Sequence, residues 1–384
     1  MNRKQKVIVG TVIILALIAA LAFLAYRFFE NFKEYGSQGY TVNTGEPSDN
    51  QTKKPEAKFG VFAKNLDTPW SMTFLPNGDM LATERSGKIV RIGKDGKTFP
   101  ISGVVETSEG GLLGITLHPD FAKNHELYIY FTTSSGGALH NRVDEYTLID
   151  DKLTRVRTIL DDIPAADMHN GGGIAFGPDS KLYVTTGDTF TQSLAQNMQS
   201  LAGKILRMND DGSIPSDNPF GNLIWSYGHR NPQGITWDSE GRMWATEHGP
   251  SAPQGSGQDE INLIKKGGNY GWPIIRGSQY RNGMISPVIQ SGTNETWAPS
   301  GIAYADGSLF FAGLRSQTLY QAVIGKDAKL TLKAHFSNKY GRLRAVAVRD
   351  SVLYFSTSNR DGRGSPVSDD DRIFQVPLPM LLNQ

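Results

Sequence analysis

The chain contains no cysteine among its 384 residues. That absence excludes a disulfide framework, a CxxC redox motif, a cysteine zinc site and a thiol nucleophile. It also excludes anchoring through a lipidated cysteine at a processed N-terminus. Net charge is nearly absent as well, because 39 Lys+Arg stand against 38 Asp+Glu. Nucleic-acid-binding domains usually carry a clear basic excess and acidic solvating chains the opposite, so neither class fits. No Walker-type or Rossmann glycine motif opens a helical segment, which argues against NAD and nucleotide cofactors. Apolar residues are a little scarce at 39%, whereas glycine is abundant, 42 residues or about 11% against a usual ~7%. Many short elements joined by tight turns have that composition.

One long apolar run does occur. Val7 to Tyr26 is a stretch of 20 residues without charge, preceded by Arg3, Lys4 and Lys6. A helix of that length spans about 30 Å, the thickness of a bilayer core. Its basic flank predicts a cytoplasmic N-terminus (1–6) and an extracytoplasmic remainder. The run ends in the bulky Phe23-Leu24-Ala25-Tyr26-Arg27-Phe28-Phe29 rather than in small residues, so an uncleaved single-pass anchor over 7–26 is expected instead of a signal peptide. Residues 27–57, polar and rich in Gly, Ser, Pro, Asn, Thr and Lys from Gly36 onward, read as a flexible linker in the cell-membrane protein. The working domain then covers 58–384.

That domain repeats one unit six times. An apolar residue, a turn rich in Pro, Asp or Gly, and a strand recur from Phe74, Leu117, Phe176, Trp237, Tyr304 and Val346. Further strands follow in GKIVRI, DEYTLI, GKILRM, DEINLI, TLYQAV and DRIFQV. The alternation within copies suits half-buried strands. A single unit cannot bury both its faces, whereas radial stacking buries them around a shared axis. A six-bladed β-propeller, all-β, is the predicted fold. A β-sandwich is the alternative, but it leaves the repetition unexplained.

Residues at one phase of a propeller repeat share one face. Ahead of the repeated strands lie Glu109-Gly110-Gly111, His169-Asn170-Gly171-Gly172, His229-Arg230-Asn231-Pro232, Thr296-Trp297-Ala298-Pro299-Ser300 and Arg342-Leu343-Arg344. Five of six copies therefore send polar or cationic groups to one rim. Guanidinium groups pair with carboxylates or phosphates in bidentate fashion, so a compact polyanion on the axis suits this rim. His169 is the natural general base, with an unperturbed pKa near 6.5.

The runs Gly110-Gly111-Leu112-Leu113-Gly114, Gly203-Lys204-Ile205-Leu206-Arg207, Gly228-His229-Arg230-Asn231-Pro232-Gln233-Gly234, Asp259-Glu260-Ile261-Asn262-Leu263-Ile264 and Gly267-Gly268-Asn269-Tyr270-Gly271-Trp272-Pro273 carry a resemblance. Together they resemble the soluble glucose dehydrogenase and aldose sugar dehydrogenase family (glucose/sorbosone dehydrogenases), over about residues 60 to 378. The resemblance implies a six-bladed propeller that oxidises aldose sugars at C1 to lactones. It implies pyrroloquinoline quinone (PQQ), a tricarboxylate ortho-quinone, as cofactor, calcium as metal, and an external electron acceptor as partner. His169 matches the family's base. Arg230 and Asn231 match the pair at the quinone oxygens, Arg342 and Arg344 the carboxylate-binding arginines, and Thr296 a cofactor-contacting threonine. Gly249 and Pro250 match carbonyl ligands of the calcium that polarises the quinone, and Glu260 and Tyr270 a second, structural calcium site. The chain departs from the family at four positions. Glu109 stands where Gln is usual, Met168 where an acidic or polar residue is, Gly173 where Arg is common, and Arg315 where Lys often serves. Two other functions compete: a non-catalytic surface propeller that binds glycans or other ligands, and a calcium-dependent sugar lactonase.

Overall fold

The computed structural model describes residues 57–93, 95–250 and 257–383. The expected anchor over 7–26 lies outside the described residues, and among those described no helix is long and apolar enough to cross a membrane. What is described is a propeller of six four-stranded antiparallel sheets. Blade 1 comprises Pro69–Phe74, Met80–Glu84, Lys88–Ile92 and Lys97–Pro100. Blade 2 comprises Leu112–Leu117, Glu126–Ser135, Ala138–Ile149 and Lys152–Pro164. Blade 3 comprises Ile174–Phe176, Leu182–Thr186, Lys204–Met208 and Ile224–Tyr227. Blade 4 comprises Pro232–Trp237, Met243–Glu247, Glu260–Ile264 and Ile289–Gln290. Blade 5 comprises Pro299–Ala305, Ser308–Gly313, Thr318–Ile324 and Leu330–His335. Blade 6 takes Leu343–Arg349, Val352–Thr357 and Ile373–Pro377 from the end of the chain and its outer strand, Gly60–Ala63, from the beginning.

The six apolar markers of the repeat sit at or near the ends of the first strands, so each blade starts several residues before the marker. The turn after the marker has a common closure: the N–H of Gly78 bonds the Leu75 carbonyl, Ser180 that of Gly177, and Gly241 that of Asp238. The second strands differ from expectation. Met80–Glu84, Leu182–Thr186 and Met243–Glu247 are buried along their whole length rather than alternately. Each is sandwiched between neighbouring blades, so both its faces are interior.

First strands pack on first strands all the way round the axis. The contact is too tight for a side chain. A Cβ on Gly114 would lie 2.2 Å from the Gly172 carbonyl, one on Gly173 2.3 Å from that of Gln233, and one on Gly234 2.5 Å from that of Ser300. Gly301 stands at the same phase against Arg344, and Ser71 and Ala345 complete a ring of small residues. Gly173, which stands where Arg is common in the family, has no room for a side chain against the Gln233 carbonyl of this chain. Hydroxyls of the second strands tie the ring together. Thr83 Oγ1 donates to the Leu113 carbonyl (2.6 Å), Thr246 Oγ1 to that of Ser300 (2.6 Å) and Ser356 Oγ to that of Pro69 (3.1 Å).

The core is divided among the blade interfaces rather than gathered at the centre. The cluster around Phe310, Leu343, Phe355 and Phe374, for example, joins blades 5 and 6. Phe374 stacks against Phe355 (5.1 Å between centroids) and Phe59 (6.2 Å), and Tyr340 lies tilted against it (4.3 Å). Its backbone pairs with Val61 of the closing strand. Phe374→Ala should therefore cost about 3–5 kcal/mol of unfolding free energy. Guanidinium denaturation measures this, and a loss below about 1 kcal/mol would show that the closure does not depend on the ring cluster.

Candidate active site

The residues that precede the first strands and those that follow the second strands meet at one end of the axis, around a cavity of about 370 Å³. That volume lies within the range of small-ligand sites. Glu109, Met168, His169, Arg230, Thr296, Arg315, Arg342 and Arg344 all line it, so eight of the residues singled out from the sequence come together. Phe190, Gln233, His248, Leu314 and Arg363 line it as well.

His169 is buried, and its Nδ1 lies 2.7 Å from Asp188 Oδ1. The carboxylate can only accept, which assigns the proton to Nδ1 and leaves the Nε2 lone pair free. Asp188 is fixed in turn by the Phe190 N–H (3.0 Å) and the Trp272 indole N–H (2.8 Å). The Phe190 ring stacks on the imidazole at 4.1 Å. The turn that carries His169 fits closely over the next strand, because a Cβ on Gly187 would strike the His169 carbonyl at 1.9 Å. The segment between Asp188 and Lys204 is clamped from below. The buried Lys204 Nζ donates to the carbonyls of Leu194, Ala195 and Ala202. The GKILR run thereby supports the residues that orient the histidine.

The GHRNPQG run has a similar division of labour. His229 faces inward, bonded to Glu247 (2.8 Å) and Ser226 (2.9 Å) and stacked on Tyr270 at 4.6 Å. Arg230 is thereby presented to the cavity, with its guanidinium 5.5 Å from the Trp272 ring centre and Nη1 donating to the His248 carbonyl (3.2 Å). Burial lowers the Arg230 pKa, against the pull of Asp188 and Glu109. Asn231 does not line the cavity. Its Oδ1 accepts the Gly171 N–H (3.0 Å) and steadies the turn after His169.

Arg342 and Arg344 share Asp361, at 2.8 Å and 3.7 Å. Burial pushes Arg344 down to about 10 in spite of that carboxylate, so it stays charged at neutral pH. Five guanidinium groups thus border the cavity against one lining carboxylate, Glu109. The buried Nε2 of His248 has no partner among the described residues. Burial alone would raise Glu109, but the His248 imidazole, Arg363 and the His169 N–H outweigh it and hold the group at about 2. Burial keeps His248 uncharged down to about pH 3, so Arg363 and the N–H are the partners that act at neutral pH.

None of the four expected metal ligands lines the cavity. Gly249 and Pro250 directly follow His248, and the Gly249 N–H is held by Asp259 Oδ1 (2.8 Å). That aspartate also accepts from the N–H groups of Trp297 and Ala298, beside Thr296. Glu260 pairs with Glu247 across blade 4. Burial and the Glu247 carboxylate push it up to about 8, and the neighbouring buried Asn262 Oδ1 has no partner among the described residues. The Tyr270 hydroxyl bonds Leu263 and Lys265, at the other end of that strand from Glu260. Among the described residues the one group of three metal-ligating side chains is elsewhere, at His140, Asp161 and Asp162 on blade 2.

Asp188, Phe190, His248, Leu314 and Arg363 escaped the sequence reading because they follow the second strands rather than precede the first. A signal was present: TTGD, TEHG, AGLR and STSNR occupy a second common phase.

Comparison with known proteins gives a consistent picture. The family model for Glucose / Sorbosone dehydrogenase matches residues 66–367. Aldose sugar dehydrogenase YliI of Escherichia coli is 33% identical over 347 residues, covering 80% of this chain and 92% of that one. Quinoprotein glucose dehydrogenase B of Acinetobacter calcoaceticus is 33% identical over 288 residues, 64% of this chain and 59% of that one. The PQQ-bound structure of the aldose sugar dehydrogenase from Streptomyces coelicolor superposes with a TM-score of 0.77 at 41% identity, covering 84% of this chain and 98% of that one.

The folded value of Glu109 lies below its unfolded one. The group therefore stabilises the fold above about pH 4.5, and that contribution is lost as pH falls toward about 2. The stability difference between the wild type and Glu109→Gln should shrink by about 1 kcal/mol between pH 7 and pH 3.5. Urea titrations of the ligand-free protein at the two pH values test this, and a constant difference would contradict it.

Proposed function

The chain belongs to the glucose/sorbosone dehydrogenase family, and on that premise we propose that it is a PQQ- and calcium-dependent dehydrogenase that oxidises aldose sugars at C1 to lactones. The observation that carries the reading is the cavity itself, with five arginines, one oriented histidine and an unpartnered His248 Nε2. A tricarboxylate fits such a lining, and Arg230, Arg315, Arg342 and Arg344 are the residues to hold it, with the Thr296 hydroxyl alongside. When bound, the quinone supplies a two-electron acceptor that an external oxidant must later regenerate.

The protein's own residues do the rest. His169 Nε2 takes the proton of the anomeric hydroxyl as the C1 hydride leaves, so that proton and hydride together account for the two-electron oxidation. Asp188 stabilises the imidazolium that forms and fixes its tautomer. Phe190 holds the ring plane and excludes water from one face of it. The Arg230 guanidinium, desolvated and backed by Trp272, is preorganised to stabilise negative charge that develops in the cavity. Asn231 acts behind the turn, through the Gly171 N–H.

Calcium is supported by donor chemistry. The raised Glu260 carboxylate, the adjacent Glu247 and the orphaned Asn262 oxygen make a buried oxygen cluster short of positive charge, which suits a hard cation. Tyr270 enters the same proposal from the family resemblance, its hydroxyl being bonded to Leu263 and Lys265. The Gly249 and Pro250 carbonyls would carry the other ion, which would supply a Lewis acid beside the cavity. The uncharged run over 7–26 supports placing the propeller outside the cell membrane, held by a single anchor.

Titration with PQQ and calcium should give stoichiometric binding and sugar-dependent reduction of a dye across an aldose panel. Absence of both binding and reduction would reject the reading. His169→Ala and Asp188→Asn should each lower kcat by about 10²- to 10⁴-fold while PQQ binding persists. In a separate test, chelator-stripped protein should regain thermal stability on addition of calcium, by about 2.7 kcal/mol at a hundredfold excess over Kd. Glu260→Ala should abolish that response, and an equal response in the variant would remove Glu260 from the metal site.

A further inference from the structure

Three loops meet at the cavity mouth, and Arg363 joins them. The loop before blade 2 and the loop before blade 3 are stitched twice: the Glu109 N–H donates to the Asp167 carbonyl (2.8 Å), and the His169 N–H donates to Glu109 Oε2 (3.1 Å). Arg363 reaches over from the loop that follows the second strand of blade 6. Its Nη1 donates to Glu109 Oε1 (2.8 Å) and its Nη2 to Met168 Sδ (3.2 Å). The arginine is itself anchored, because its backbone N–H donates to Asp361 Oδ1 (2.9 Å). Glu109 and Met168, two residues that differ from the family pattern, thus face the same guanidinium.

His169 has a reason to need this support. Its φ is 61°, in the left-handed region, which costs a non-glycine residue about 1–2 kcal/mol and persists only where the surroundings over-determine it. Asp188 and Phe190 fix the ring, but the backbone N–H is held by Glu109. That carboxylate has competing attractions, since Arg230 and Arg344 lie across the same cavity. If it swung inward it would release the His169 N–H and neutralise guanidinium groups that face the ligand.

We propose that Arg363 is a positioning residue for His169: it pins the Glu109 carboxylate at the rim, and Glu109 in turn holds the His169 turn in its left-handed conformation. The consequence for turnover rests on the dehydrogenase reading, whereas the structural consequence does not. Arg363 is half exposed (48%) and Glu109 largely buried (18%), so the pair is strong enough to bias a side chain without being needed for the fold.

The test compares Arg363→Met, Arg363→Lys, Glu109→Gln and the double variant Glu109→Gln/Arg363→Met. In the cofactor-free protein, long-range proton–nitrogen spectra of the His169 ring, identified by its loss in His169→Asn, should show one sharp Nδ1-protonated tautomer. Arg363→Met should broaden or split that signal, and Arg363→Lys should restore it in part. With PQQ, calcium and sugar, Arg363→Met should lower kcat about fivefold, the scale of a half-exposed ion pair. On the Glu109→Gln background, where the amide oxygen still accepts the His169 N–H, the same change should cost less than about twofold. An unchanged ring signal in Arg363→Met, or effects that multiply in the double variant, would overturn the proposal. A wild type without sugar turnover would defeat the dehydrogenase reading, while the ring spectra would still decide the role of Arg363.

Discussion

The six first strands stand so close around the axis that a β-carbon cannot fit between several of them. Gly114, Gly173 and Gly234 each meet the carbonyl of the next blade at a separation no methyl group could share. This steric limit sets the radius of the propeller. It also sets where the hydroxyls of Thr83, Thr246 and Ser356 find their acceptors, because those bonds span from one blade to its neighbour. Once the strands are fixed at their waist, the residues at their N-terminal starts have one direction in which to project. The cavity is the space left where they diverge.

Charge then does what packing alone does not. Five arginines around so small a space repel one another, and four of them are restrained by something behind or beside them. Asp361 holds Arg342 and Arg344, Trp272 lies under Arg230, and Glu109 pairs with Arg363. The same logic governs the base. His169 is oriented by Asp188, which is itself placed by Trp272 from the GGNYGWP run of a different blade. The long motifs of the sequence are therefore mostly scaffolding. In GHRNPQG only Arg230 and Gln233 line the cavity, while His229 is tied to the Glu247 and Ser226 side chains and Asn231 holds the Gly171 N–H.

The second and third strands were legible because they are apolar, rich in β-branched and aromatic residues and preceded by turn signals. The first strands were harder to see as strands, since the glycine their packing demands is a poor strand former. The markers of the pattern lie beyond the close-packed glycine phase of these strands, at or near their ends. Alternation misled in the second strands, which have no solvent face. At the site, the phase before each first strand was legible because it concentrates Arg, His and Gly. The phase after each second strand was legible only at Arg315, through the family resemblance, because Asp188, Phe190, Leu314 and Arg363 share no chemistry with one another. The cation that pairs with Glu109, Arg363, lies more than 250 residues away in sequence, a distance at which no local pattern links the two.

The strand Gly60–Ala63 closes the ring by pairing with Ile373–Pro377, and Lys58 is bonded to Gln375, 317 positions later. The first part of the propeller to be synthesised is thus matched to the last. The blades between them are built from local hairpins that can form in order, but the final interface must wait for the whole chain. Loop closure over such a distance costs several times RT and brings no reward until both partners exist. Until that moment the strand Gly60–Ala63 and the outer edge of Ile373–Pro377 stand unpaired, and the interval before closure is when this protein is most open to association with its own copies.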